Sequence, residues 1–286
     1  MTVDGARRSD VGGDGQLVPR ILVRLAFLAI GVVFIFPMVW MVLSSFKTNR
    51  DIFRSPFGLP KEIDLGRWAE AWEVGNLGRY AVNSAIVTGV SVTLILVLGA
   101  AAAFAFSRYR FRGRGLMLGV FALGLLLPLQ SYFIAQSKLW TQLALTDTLV
   151  GLIIPYTAMG LPLAIYLLKV YLDALPEELF DAARIDGAGD GRMFLELALP
   201  LLRPGLATVA IFSALACWNE FLLALLYLQS DDVKTIPTGL LAFSSRYVTD
   251  YSLLFSALSI VTIPMVVIYV VFNRQIVEGI TAGSVK

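Results

Sequence analysis

The chain alternates between apolar and polar on a coarse scale. Six long apolar blocks, roughly 25–46, 81–106, 116–137, 148–168, 205–228 and 252–273, are separated by shorter polar stretches. About 20 apolar residues carry a helix across about 30 Å of hydrocarbon, so each block predicts one spanning helix. Only the fifth contains a charge, Glu220. The fourth and fifth are joined by a polar, helix-forming stretch from Pro176 to Pro204, PEELFDAARIDGAGDGRMFLELALPLLRP. Seven charges crowd its first part: Glu177, Glu178, Asp181, Arg184, Asp186 and Asp190, with Arg192 just beyond.

Within that stretch, 100° per residue places Leu175, Leu179, Ala182 and Ala183 on one arc and Glu177, Asp181 and Arg184 opposite. The pattern predicts a short amphipathic helix, started by Pro176 and stopped by Gly187 in the left-handed conformation. Asp190 is placed to cap a second short helix through Met193, Phe194 and Leu197, ending by Pro200. The two alanines leave a shallow face that a partner's cleft can accept closely. The mainly acidic polar face argues against lying flat on anionic lipid.

The loop SRYRFRGRG holds Arg108, Arg110, Arg112 and Arg114, the strongest positive-inside signal in the chain. It puts this loop, the Pro176 loop and both termini on the cytoplasmic side, N-in and C-in. The inner regions then carry 14 Lys and Arg against 9 outside. Residues 1–20 read as a flexible cytoplasmic tail, 21–273 as one six-span transmembrane domain with a coupling loop at 171–204, and 274–286 as a cytoplasmic C-terminal tail. Trp68, Trp72 and Tyr80 suit a partly helical, interfacial connection over 47–80. The small residues around Gly99 to Ala105 predict close helix approach in the second span. Prolines 37, 128, 155, 162 and 264 lie in or at the ends of spans, as kinks at moving parts or as ordinary membrane-helix prolines.

Composition agrees with the pattern: 57% hydrophobic, 15% charged and a mean hydropathy of +0.76 exclude an ordinary soluble domain. The net charge of +2 lies in short flanks between spans, which gives no nucleic-acid stripe. With no His and one Cys, Cys217, the chain has no His-based dyad, no internal disulfide and no Cys/His metal cluster. No cofactor or metal is expected. GAGDG is Gly-rich but lacks the Lys and the preceding strand of a phosphate loop, so any ATP is bound by another chain.

DAARIDGAGDGRMFLELALPLLRP resembles the EAA loop of permease subunits of bacterial binding-protein-dependent ABC importers. Asp181, Ala182 and Ala183 stand for the first triplet, and Asp186, Gly187 and Ala188 for the second. Phe194, Pro200 and Pro204 follow in register. Asp181 departs from the usual Glu. Trp218-Asn219-Glu220-Phe221, IPTGL at 236–240 and the tail QIVEGITAGSVK are similar to the carbohydrate branch, the smaller maltose-type permease subunit. The resemblance implies an all-α, type I importer transmembrane fold in the bacterial inner membrane, with no catalytic role of its own. It implies as partners a second permease subunit, two cytoplasmic ATPase subunits and an extracytoplasmic sugar-binding protein. It assigns ATPase coupling to Glu178, Asp181, Ala182, Ala183, Asp186 and Gly187.

A substrate path is less legible. Glu220 either lines the pathway or pairs across an interface, or else hydrogen-bonds to a neighbouring helix, near Asn219. Sugar sites join aromatic platforms to amide and carboxylate partners, which Gln130, Tyr132, Trp218 and Asn219 can supply. The alternative to an ATP-driven permease is a self-sufficient ion-coupled secondary transporter, for which one intramembrane Glu is thin support. An intramembrane enzyme has no convincing constellation to stand on.

Overall fold

The computed structural model describes the backbone of residues 17–128, 131–243 and 249–282, and their side chains apart from 17–22, 268 and 271–282. Apart from an isolated bridge at Thr249 and a 3-10 turn at Leu240–Phe243, the described elements are α- or π-helical. In chain order they are α1 (Leu17–Ser44), α2 (Asn49–Arg54), α3 (Gly66–Val74), α4 (Leu77–Arg108), α5 (Arg114–Leu126), α6 (Phe133–Gln142), α7 (Leu149–Asp173), α8 (Glu177–Ile185), α9 (Asp190–Leu201), α10 (Arg203–Asn219), α11 (Leu222–Tyr227), α12 (Ile236–Gly239) and α13 (Tyr251–Ala282). Three of them are long and apolar enough to cross a membrane: α4, α7 and the Val23–Ser44 part of α1. α9 and α10, bent by 74°, make a fourth if taken as one span. α5 and the Tyr251–Val267 part of α13 are shorter apolar helices.

The centre is the α4–α7 pair, against which α10 packs from the side. Small residues bring α4 and α7 together, as the sequence predicts. Ala100, Ala103 and Ala164 are fully buried, and a Cβ on Gly99 would stand 2.9 Å from the Ala164 methyl. The core continues from Val87 and Ile95 through Leu168 and Leu172 to Phe180 and Met193, so the 176–204 loop belongs to the same packed body. A smaller core joins α3 and α4 to α13 through Ala71, Leu77, Leu253 and Ala257. α1 packs against α13 and otherwise exposes its apolar surface.

Two apolar blocks are not the single helices expected. The third ends as helix at Leu126. Leu127 is extended, with ψ 120°, because Pro128 sterically disfavours the helical conformation of the residue before it. The chain resumes as α6 only at Phe133. The fifth breaks at Glu220, where ψ is 126°, and resumes as the two-turn α11. In contrast, Pro37, Pro155, Pro162 and Pro264 lie inside continuous helices. The 47–80 connection is partly helical, as expected, and α4 starts at Leu77, earlier than its apolar block. There Trp68 stacks on Phe46 at 5.4 Å and donates to Ser45 Oγ at 3.1 Å, while Tyr80 is buried rather than interfacial.

Candidate functional site

The 176–204 loop is assembled from local signals and then fixed by aromatic packing. Pro176 precedes the first turn of α8, and Glu177 and Glu178 fall where the helix dipole favours acids. Gly187 adopts φ +79°. Its N–H donates to the Arg184 carbonyl at 3.0 Å, and Ala188 N–H to the Ala183 carbonyl at 2.9 Å, closing a Schellman motif. Gly189, not Asp190, is the N-cap of α9, so Asp190 is the first helical residue. α9 also runs through Pro200 instead of ending before it. Met193–Ala198 is wound as a π-helix, and Leu199 N–H reaches back to the Phe194 carbonyl. That wider register carries the helix up to a proline that lacks its own N–H.

The inward residue of α8 is Phe180, not Leu179. Phe180 is fully buried, whereas Leu179 is 42% exposed. The Phe180 ring lies 6.4 Å from that of Phe104, which also packs Tyr109 at 6.0 Å and Phe194 at 5.3 Å. The Arg108 guanidinium covers the Phe180 ring at 3.7 Å and donates to the Leu172 carbonyl at 2.5 Å. Ser107 Oγ donates to Asp173 at 2.7 Å. The Arg loop and the Pro176 loop therefore meet at one end of the helical body. Burial, with Asp190 beside it, pushes the Tyr109 phenol above its ordinary value.

With Phe180 inward, α8 turns Glu178, Asp181, Ala182, Ile185 and Asp186 to the surface, and Ile185 is 87% exposed. Ala183 is half-buried and packs against the core. Arg184 pairs with Asp181 at 2.8 Å. Arg192 pairs with Glu196 at 2.7 Å, which raises the Arg192 guanidinium further. Sequence reasoning missed Phe180 and Ile185. The signal available for Phe180 was aromatic content in two places: Phe194 within the loop itself, and Phe104 and Tyr109 at the end of the second apolar block.

At the break in the fifth apolar block, Glu220 works as a cap. Its carboxylate accepts from Leu223 N–H at 3.0 and 3.1 Å, from Ala224 N–H at 3.2 Å and from the Tyr156 hydroxyl at 2.6 Å. Its partner on a neighbouring helix is thus Tyr156 of α7. Asn219 instead donates to the Leu215 carbonyl one turn back, at 2.8 Å. Glu220, Tyr156 and Met159 line a cavity of about 160 Å³ with the buried Cys217. Met159 also borders a cavity of about 440 Å³ that holds Tyr132, Gln136 and Pro155. Tyr132 and Glu220 are therefore brought to adjoining cavities along α7. Trp218 is half-buried outside both, its Nε1 without an acceptor. Gln130 lies outside the described residues. Gln136, not singled out by the sequence, presents a buried Oε1 without a donor; its signal was the one-turn spacing from Tyr132.

Comparison with known proteins places this architecture. The profile of the binding-protein-dependent transport system inner membrane component matches residues 20–281. The chain belongs to that family. It is a permease subunit and a multi-pass protein of the bacterial inner membrane. It is similar to the diacetylchitobiose uptake system permease protein of Streptomyces coelicolor, 38% identical over 260 residues covering 89% of this chain and 85% of the relative. It is 30% identical over 269 residues to the arabinooligosaccharides transport system permease protein of Halalkalibacterium halodurans, covering 93% and 96% of the two chains. A chain of a bacterial ABC transporter involved in the import of the acidic polysaccharide alginate has the same fold, with a TM-score of 0.79 at 20% identity and 95% and 99% coverage.

Proposed function

We propose that this permease subunit forms half of the translocation pathway of an ATP-driven importer of a mono- or oligosaccharide. Its six spans run N-in and C-in, with α5–α6 and α10–α11 each serving as one interrupted span. The domain runs from 21 to 273, between cytoplasmic tails at 1–20 and 274–286. The observation that carries the coupling role is α8 itself: a helix clamped from behind by Phe180 and presenting Glu178, Ala182 and Ile185 outward. Asp181, Ala183, Asp186 and Gly187 complete the segment that docks on a cytoplasmic ATPase. ATP hydrolysis belongs to that partner, since this sequence has no phosphate loop. A second permease and an extracytoplasmic binding protein complete the assembly.

The sugar assignment draws support from two relatives, one named for diacetylchitobiose uptake and one for arabinooligosaccharide transport. Along the path, Tyr132 lines the larger cavity; Gln130, Asn219 and Trp218, the last of which lies outside both cavities, are the further contacts we propose for the sugar. Glu220 holds the wall of the smaller cavity, because its oxygens are already engaged by Leu223, Ala224 and Tyr156. Deleting residues 176–190 from the complete transporter tests the reading. Membrane insertion is expected to persist while uptake and solute-stimulated ATP hydrolysis are lost. Uptake that survives the deletion refutes the coupling role, and a solute screen in which sugars are never taken up refutes the substrate class.

A further inference from the structure

The loop has two electrostatic sides. Its outward face on α8 is acidic, through Glu178, Asp181 and Asp186. On the membrane side, a cleft of about 440 Å³ opens between the ends of α4 and α7 and the starts of α5 and α8. Its walls carry Arg108, Arg110, Arg114 and Arg184 against Asp173 and Glu177, an excess of two positive charges. Arg184 is paired with Asp181, which leaves Arg108, Arg110 and Arg114 facing Glu177 and an Asp173 that is shared with other partners. Asp173 is already held by Lys169 and by Ser107. Arg108 Nε is buried without an acceptor, while the rest of its guanidinium is pinned over Phe180. Directly below Arg114, α5 exposes a strip of apolar side chains, Leu116, Val120 and Leu123, at 76%, 59% and 57%. A soluble anion has no use for that strip. A cationic pocket at the head of a bare apolar helix face, where the spans end, matches an anionic headgroup with its acyl chains below.

We propose that this cleft binds the phosphate of an anionic phospholipid, with the acyl chains lying along α5. Because Phe180 and Arg184 form one wall, an occupied cleft also braces α8 from the membrane side. The site depends on the spans ending at this level and not on which solute is carried, so it can fail while the importer assignment holds. Each cation near an anionic lipid surface is worth about fivefold in affinity, so removing two is expected to weaken binding about 25-fold. The test is native mass spectrometry of the complete transporter, released from nanodiscs of neutral lipid with or without cardiolipin or phosphatidylglycerol. Wild-type protein and Arg192→Gln, a cation outside the cleft, are expected to retain anionic lipid. Arg110→Gln/Arg114→Gln is expected to lose it by about 25-fold, and Arg110→Lys/Arg114→Lys to recover most of it. Folding of the glutamine variant is checked by its assembly into the transporter. Equal lipid retention by wild type and an assembled glutamine variant overturns the proposal. So does displacement of the lipid by millimolar inorganic phosphate, which would make the site one for the free ion.

Discussion

Replacing Phe180 by Ala isolates the part of the loop that the coupling role depends on. α8 has nine residues, too few to hold a helix in water by themselves. Its place is fixed by one fully buried ring between Phe104 and the Arg108 guanidinium. Truncating a buried Phe to Ala costs about 3–5 kcal/mol. The vacated space here borders the open cleft, so water can enter and the lower end applies, about 3 kcal/mol. At 1.4 kcal/mol per factor of ten, the ratio of undocked to docked α8 rises roughly 100-fold. Hydrogen exchange of the complete transporter in nanodiscs reads this directly. Amides of 177–187 are expected to exchange roughly 100-fold faster, while those of α4 and α7 are unchanged, and uptake falls with them. Phe180→Leu keeps most of the apolar volume and is expected to lose about tenfold or less. Ile185→Ala is the counterpart: it is expected to leave exchange in the isolated chain unaltered but to impair ATPase docking. Wild-type exchange over 177–187 together with normal uptake in Phe180→Ala would refute the idea that this ring mounts the helix.

Other residues give sharper local tests. Glu220→Ala removes the acceptor for two N–H groups and the Tyr156 hydroxyl, and is expected to destabilise the transporter by about 3 kcal/mol; Glu220→Gln, which keeps an acceptor oxygen, should cost less than half as much, both read by thermal unfolding in detergent. Gly99→Val forces α4 from Ala164 and is expected to cost about 1–3 kcal/mol, read as a lower unfolding temperature that Ala164→Gly partly restores. Asp147 accepts from Ser230 Oγ at 2.7 Å and from the Gln229 and Ser230 N–H groups at 2.9 Å, which holds its carboxyl below the usual carboxylate range. Its contribution to the 228–230 loop is therefore full above the unfolded-state value near 4 and is lost as pH falls through the lower folded value. Exchange in that loop should accelerate on acidification below about pH 4, and Asp147→Asn should remove that dependence.

What the sequence made legible is what hydropathy and turn chemistry encode directly. The apolar blocks, the start of α8 after Pro176, its stop at Gly187 and the close α4–α7 contact at Gly99 all follow from rules that act within a few residues. The misplacements share a cause. Leu179 and Phe180 are neighbours on a short helix, 100° apart, and the pattern alone gives both an apolar claim to the inside. The choice falls to Phe180 because Phe104 and the Arg108 guanidinium, both from α4, close on its ring, while Phe194 of α9 packs against Phe104 in turn. The interruptions at Leu127 and Glu220 escaped for a related reason: hydropathy averages over a block and does not register one residue leaving the helical conformation. Pro128 carried the local warning for the first. At Glu220 the chemistry itself was the warning. A carboxylate amid apolar residues needs donors, and a broken helix end supplies unpaired N–H groups at the point where the charge lies. A lone acid within an apolar block is thus as good a marker of a helix break as of a transported ion, and here Leu223, Ala224 and Tyr156 decide for the break.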